Sequence, residues 1–265
     1  MTRIIAITNQ KGGVGKTTTA INLASSLTHA GSRVLLIDMD PQGNATVGSG
    51  IPMRELEITV YEVLLGEANI TDAIQHTEFR FDVLPSHPDL AGAQVEMNDL
   101  DEHDYRLRNA LSAVRDNYDI VLIDCAPSLN ILTVNALTAA NEVLIPVQCE
   151  YYALEGLTSL VETIDLVKEG LNPELGISGL VRTMYDGRNG LAVEVSEQLQ
   201  EHFPDRLYRT VIPRNVRLAE APSYGKPVLE YDRKCAGSQA YLALACELLR
   251  RKKGFPAAVE SGEIV

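Results

Sequence analysis

The chain has no tryptophan, few aromatic residues of any kind and only four cysteines among its 265 residues. Cys125, Cys149, Cys235 and Cys246 show no C-x-x-C spacing, which argues against a zinc site or a disulfide framework and suits reduced thiols. No apolar run approaches the ~18–20 residues needed to span a bilayer. From Met1 the chain passes straight into "RIIAIT", without the layout of a signal peptide. Internal repeats, low-complexity stretches and linkers are missing too. A soluble, cytoplasmic chain is therefore expected, long enough for one large α/β domain.

Positive charge is scarce overall, and the net charge of −13 argues at first against a nucleic-acid partner. Its distribution says otherwise. Residues 1–179 carry 10 Lys/Arg against 25 Asp/Glu, whereas residues 180–253 carry 13 against 9. Such a basic segment is either an ordinary solvated surface or a phosphate-binding face, and composition alone does not decide between them.

Short β-branched runs alternate with amphipathic segments. Strands are expected over 3–8, 33–38, 81–85, 118–124, 142–147, 177–183 and 209–213, most of them continuous apolar runs suited to burial on both faces of a parallel sheet. Helices are expected over 16–30, 104–117, 130–140, 154–169, 191–202 and 238–252. The alternation predicts right-handed crossovers and a single-domain, doubly wound, mostly parallel sheet flanked by helices. The domain is expected to span 1–253, with 254–265 as a loose tail.

One further absence is the most informative. "QKGGVGKTT" (10–18) ends like a phosphate-binding loop, but Gln10 replaces the first glycine of G-x-x-x-x-G-K-[ST], and a second lysine, Lys11, follows it. The strand–loop–helix order is the one phosphate binding needs. Backbone N–H groups of Gly12, Gly13, Val14, Gly15, Lys16, Thr17 and Thr18 can converge on an anion at the positive end of the new helix. Lys16 can reach the β- and γ-phosphates and Thr17 suits Mg²⁺. Two carboxylate sites sit at strand ends, where open α/β sheets place ligands. "VLLIDMDPQGN" supplies Asp38 and Asp40, and "DIVLIDCAPS" supplies Asp124. A lone Asp there is as readily a turn cap. Two such sites beside the loop favour a magnesium–nucleotide site.

"KGGVGKTT", "LLIDMDPQGN" and "VLIDCAPS" together resemble the deviant-Walker-A ATPases of the ParA/MinD superfamily. "ITNQKGGVGKTT", "DPQGNAT", "PVQCEYYALEGL" and "TVIPRNVRLAEAPSYGKPV" are similar to the ParA or Soj-type chromosome partition ATPases. The match runs from Ile4 to about residue 250. The resemblance implies an ATP-dependent sandwich homodimer in which Lys11 reaches the partner's nucleotide, as an arginine finger does. It implies Asp40 as the carboxylate that orients the attacking water, with Lys11, Lys16 and Asp40 as the catalytic set. Asp38 and Asp124 join Thr17 in the magnesium network. Pro213, Arg214 and Asn215 match the adenine-contacting loop, and Met184 is placed near it, with simple core packing as the other reading.

The same resemblance implies non-specific binding of double-stranded DNA through Arg188 and Arg217, with Lys226, Arg233 and Lys234 as additions. Arg188-Asn189-Gly190 departs from the family's more usual loop. A ParB-type centromere-binding protein is the implied stimulator of slow hydrolysis, and the implied location is over the nucleoid. No helix-turn-helix precedes the first strand, so the operon-repressing domain of some plasmid relatives is expected to be absent.

The terminal helical pattern predicts Tyr241, Leu244, Ala245 and Leu248 on one face. Arg250 to Lys253 then either complement the helix dipole or touch DNA or a membrane. Alternatives stay open: a related ATPase that positions another cargo, a MinD-like membrane regulator, or an iron–sulfur reductase whose cluster bridge needs two cysteines per chain, with Cys125 and Cys149 as the candidates.

Overall fold

The computed structural model describes residues 2–251. The expected tail, 254–265, and the basic pair Lys252 and Lys253 lie outside the described residues. Eight strands form one sheet: β1 (Arg3–Ile7), β2 (Val34–Met39), β3 (Gln75–His76), β4 (Asp82–Leu84), β5 (Ile120–Cys125), β6 (Glu142–Gln148), β7 (Gly176–Tyr185) and β8 (Leu207–Pro213). Their order across the sheet is β3-β4-β2-β5-β1-β6-β7-β8. All pairings are parallel except β3 with β4.

Alternation along β1 shows how the sheet is covered. Ile4 and Ala6 join Leu35, Ile37, Val121 and Ile123 in a core roofed by the helices Ile131–Ala139, Ala153–Gly170 and Gly190–His202. Ile5 and Ile7 face the opposite way, with Leu36 and Leu122, against the helices Lys16–His29 and Ala236–Arg250. With both faces buried, the strands read as uninterrupted apolar runs.

The expected helix over 104–117 is not continuous. It divides into a 3₁₀ turn (His103–Tyr105), one short α-helix (Arg106–Leu111) and a second 3₁₀ turn (Arg115–Asn117). The Ser112 hydroxyl donates to the Asn109 carbonyl at 2.6 Å, offering the backbone a local alternative to the helical ladder.

Tyr241, Leu244, Ala245 and Leu248 are buried on one helix face, as their spacing predicts. Beyond that helix, Arg251 is committed to structure. Its guanidinium donates to the Leu207 and Arg206 carbonyls and lies 3.8 Å from the centre of the Tyr208 ring. The pull on β8 thus explains this cation better than a dipole or DNA contact.

Candidate functional site

The loop between β1 and the helix Lys16–His29 is built from left-handed glycines and two long-range pins. Gly13 and Gly15 have φ of 76° and 86°, values that side chains with a Cβ rarely adopt, so the backbone can curl its N–H groups inward. The Asn9 side chain donates to the Pro146 carbonyl at 2.8 Å and accepts from the Lys11 N–H at 3.0 Å. Further along, the Thr183 hydroxyl donates to the Val14 carbonyl at 2.7 Å. β6 and β7 thereby hold the two flanks of the loop.

The two lysines point to different places. Lys16 is 7% exposed, and its Nζ donates to the Lys11 carbonyl at 3.3 Å inside the curl of the loop. Burial lowers its pKa, while Asp124 and Asp40 push it back up. Lys11 turns outward instead. Its ammonium pairs with Glu150 Oε2 at 2.6 Å, and both side chains are partly exposed.

Sheet register explains the carboxylates. Asp38 on β2, Asp124 on β5 and Ile7 on β1 lie on one rung of adjacent strands, at the carboxyl ends where the loop begins. Asp38 is fully buried. Its Oδ2 accepts from the Thr46 N–H and hydroxyl, both at 2.8 Å, and its Oδ1 accepts from the Asp40 N–H at 3.2 Å. Burial outweighs these bonds and pushes Asp38 up to about 6. The residue expected only in a metal network is thus also the clamp that shapes residues 40–46. Asp40 is half-buried one step beyond, its carbonyl fixed by the Ser86 hydroxyl at 2.8 Å.

Asp124 is the anomaly. Neither of its buried carboxylate oxygens has a hydrogen-bond partner of good geometry. Burial and the neighbouring Asp38 raise its pKa well above the usual carboxylate range, and the nearby Thr17 hydroxyl and Lys16 offset only part of this. An orphaned carboxylate beside a hydroxyl and a phosphate-type loop fits a magnesium ion, which commonly takes one or two carboxylates and fills its shell with phosphate and water. Among the described residues no three His, Cys, Asp or Glu side chains converge as a metal cage.

Met184 (φ 48°) and the segment Pro213-Arg214-Asn215 meet Gly13, Gly15, Thr18 and Tyr241 around a cleft of about 210 Å³ beside the loop. Met184 lines that space rather than lying sealed in the core. The cleft has the place and the apolar walls a nucleotide base requires.

A family model described as an AAA domain matches residues 2–177. The chromosome partitioning protein ParA of Caulobacter vibrioides is 57% identical over 254 residues, covering 95% of each chain. The sporulation initiation inhibitor protein Soj of Bacillus subtilis is 53% identical, covering 94% of this chain and 98% of its own. This chain belongs to the ParA/Soj chromosome-partitioning ATPases. Among solved structures, cobyrinic acid a,c-diamide synthase from Mycobacterium smegmatis, with bound ADP and magnesium, superposes with a TM-score of 0.85 at 37% identity. That match covers 96% of this chain and 98% of the other.

In this ParA/Soj-type ATPase the basic residues do not form one bare patch. Arg188 is 91% exposed and makes a two-pronged pair with Asp186 at 2.8–2.9 Å. Arg217 pairs with Glu220 at 2.7 Å and Asp232 at 3.5 Å. Arg233 and Lys234 are exposed beside that same Asp232. Lys226 lies further along, at a separate cavity lined by Tyr224 and Gly50. Cys125 and Cys149 are both buried, and burial pushes the thiols up, to about 11 for Cys149. An intersubunit cluster needs thiolates at a shared surface, so neither cysteine suits the reductase alternative. Glu150, Asn9, Thr46 and Thr183 are the partners that local sequence reading misses.

The raised carboxyls set a pH dependence. When the folded chain holds a proton more tightly than the unfolded chain, stability is greatest at low pH and is lost as pH rises through the folded value. For Asp38 that window runs from its ordinary 3.8 to about 6, and burial beside Asp38 shifts Asp124 in the same direction. In protein free of nucleotide and magnesium, Asp124→Asn is therefore expected to melt above wild type at pH 7.5. The gain is about 1–3 kcal/mol, the scale for removing an uncompensated buried charge, and it narrows towards pH 5. Parallel thermal melts across that range check it; a pH-independent gap would count against an ionised Asp124.

Proposed function

We propose that this ATPase is a DNA-segregation switch: ATP joins two copies in a sandwich dimer, the dimer holds DNA without sequence preference, and a ParB-type partner triggers hydrolysis and release. The observation that carries the reading is the division of labour between the lysines. Lys16 already occupies the chain's own loop, whereas Lys11 is parked on Glu150 at the surface. A cation held outside its own site is suited to neutralising charge in a neighbour's. Tyr151 and Tyr152, both more than half exposed and next in the chain to Glu150, give a second copy apolar surface to cover near that lysine.

In this reading the loop N–H groups of Gly12 to Thr18 and Lys16 hold the phosphates, and Met184 with Pro213, Arg214 and Asn215 holds the base. Thr17 and Asp124 would hold magnesium, with Asp38 ordering the adjoining loop. Magnesium bound there with ATP would supply charge neutralisation on the phosphoryl oxygens. Asp40 then orients the attacking water, and positioning of this kind supplies much of the rate.

DNA binding is assigned to Arg188 and Arg217, supported by Lys226, Arg233 and Lys234. Two arginines per chain give ~4 phosphate contacts per dimer, so raising salt from 50 to 200 mM is expected to weaken binding by roughly 10²-fold. Removing Arg217 takes away two contacts and about halves the log–log slope. Fluorescence anisotropy with two unrelated duplexes, plus and minus a non-hydrolysable ATP analogue, provides the test. Salt-insensitive binding, or equal binding without nucleotide, would sink the assignment.

A further inference from the structure

The Asp38 clamp extends to a strand that carries none of the nucleotide motifs. β4 pairs with β2 so that Leu84 lies opposite Ile37, and the two residues that follow bring Ser86 to the turn that starts at Asp40. The Ser86 N–H donates to the Thr46 hydroxyl at 2.9 Å, and the Ser86 hydroxyl donates to the Asp40 carbonyl at 2.8 Å. Thr46 in turn donates to Asp38, and Asp38 accepts from the Asp40 N–H. The four residues close a ring of hydrogen bonds. Asp38, Thr46 and Ser86 are all fully buried, and a satisfied polar network of this kind rigidifies what it holds.

What the ring holds is the backbone of one residue. Side chains grip both main-chain groups of Asp40, the N–H through Asp38 and the carbonyl through Ser86. The Gly43 N–H gives that carbonyl a second donor at 2.9 Å. Because each peptide unit is planar, fixing the units on both sides of Asp40 fixes the direction in which its side chain leaves the chain. The carboxylate itself is held more lightly. One oxygen accepts from the N–H of the exposed Gln42 at 3.0 Å, a bond that water can replace. A rigid base with a free tip suits a group that must meet a water molecule.

We propose that Ser86 is a positioning residue for ATP hydrolysis, its hydroxyl aiming the Asp40 carboxylate at the attacking water. This rests on the role given to Asp40 above. Ser86 sits 46 positions from Asp40, and none of its hydrogen bonds reaches the phosphate loop. Its loss should therefore change turnover and leave ATP binding alone.

The test measures phosphate release against ATP concentration for the full chain. Ser86→Ala leaves the Asp40 carbonyl its bond from Gly43, so no buried group is stranded. Its kcat is expected to fall by ~10- to 100-fold, the scale for a small misplacement of a positioned group, with the ATP needed for half-saturation unchanged. Thr46→Val opens the ring at another corner and should show the same split. Combined with Asp40→Ala, Ser86→Ala should lower the rate by less than ~2-fold more, because residues that act as a unit are not additive. Ser178→Ala removes a buried hydroxyl that bonds the Tyr208 hydroxyl instead; it should lower the melting temperature without moving kcat. Normal kcat in Ser86→Ala and Thr46→Val overturns the proposal. So does a full further fall in the double variant, or an equal fall in Ser178→Ala, since either marks a general structural loss. If Asp40→Ala itself hydrolyses ATP normally, the role proposed for Asp40 fails and this inference with it. A slow Asp40→Ala beside a normal Ser86→Ala removes Ser86 alone.

Discussion

Lys11→Ala is expected to keep nucleotide binding while losing the ATP-dependent dimer and ~10³-fold or more of the hydrolysis stimulated by DNA and partner, the range typical of a cation supplied in trans. Lys16 and the backbone curl still hold the phosphates, which is why binding survives. A mixture of Lys11→Ala with Lys16→Ala separates the two possible geometries. Neither variant alone has a complete site. In a mixed dimer, the intact loop of the first receives the intact Lys11 of the second, so activity should reappear only if the lysine acts across the interface. Mass by light scattering and steady-state phosphate release give the readouts. If Lys11→Ala dimerises and responds normally, or if mixing restores nothing, the trans reading is wrong. Glu150→Gln should move the equilibrium the other way, because it frees Lys11. An exposed pair is worth up to about 1 kcal/mol, so the ATP needed for half-dimerisation should fall by about 2- to 5-fold.

Asp40→Ala is expected to uncouple assembly from turnover. Its carboxylate sits one step beyond the clamp formed by Asp38, with its backbone fixed by Ser86. The substitution gives up the bond that the Asp40 carboxylate accepts from the Gln42 N–H at 3.0 Å, but the Asp38–Thr46 clamp and the Ser86 bond still hold the loop. Hydrolysis should fall by ~10²–10⁴, the usual span for a positioned acid–base group, while ATP still forms the dimer and DNA stays bound. Release from DNA on adding the partner should be correspondingly slow. Phosphate release and DNA dissociation measured on one preparation decide the matter. A variant that hydrolyses normally, or that no longer dimerises, would remove Asp40 from the reaction.

Much of the fold can be read from local pattern, because strands buried on both faces carry their signal in every residue. All seven expected strands are present, with ends displaced by a residue or two. β3 escapes notice because Gln75 and His76 are polar and too few to show alternation. Several helices between Asn44 and Glu96 have only four to seven residues and show no usable period. The loop and its carboxylates are visible for a related reason, since each is a contiguous motif at a strand end. What holds them is not local. Glu150 lies 139 positions from Lys11, and Thr183 lies 169 from Val14. Only the order of strands across the sheet brings those pairs together. Asp38 is legible as a carboxylate at a strand end, but its three bonds to residues 40 and 46 depend on how the following loop folds back.

The helix Lys16–His29 begins at the phosphate loop and ends on the basic C-terminal segment. Along it, the Asn22 side chain accepts from the Val228 N–H at 2.6 Å, and His29 lies 3.3 Å from Glu230. Fourteen residues of helix make a rod of about 21 Å. Any tilt imposed where the rod meets the nucleotide is delivered at its far end as displacement of the segment that carries Arg217, Lys226, Arg233 and Lys234. Under the proposed function, the grip on DNA would then be geared mechanically to the nucleotide.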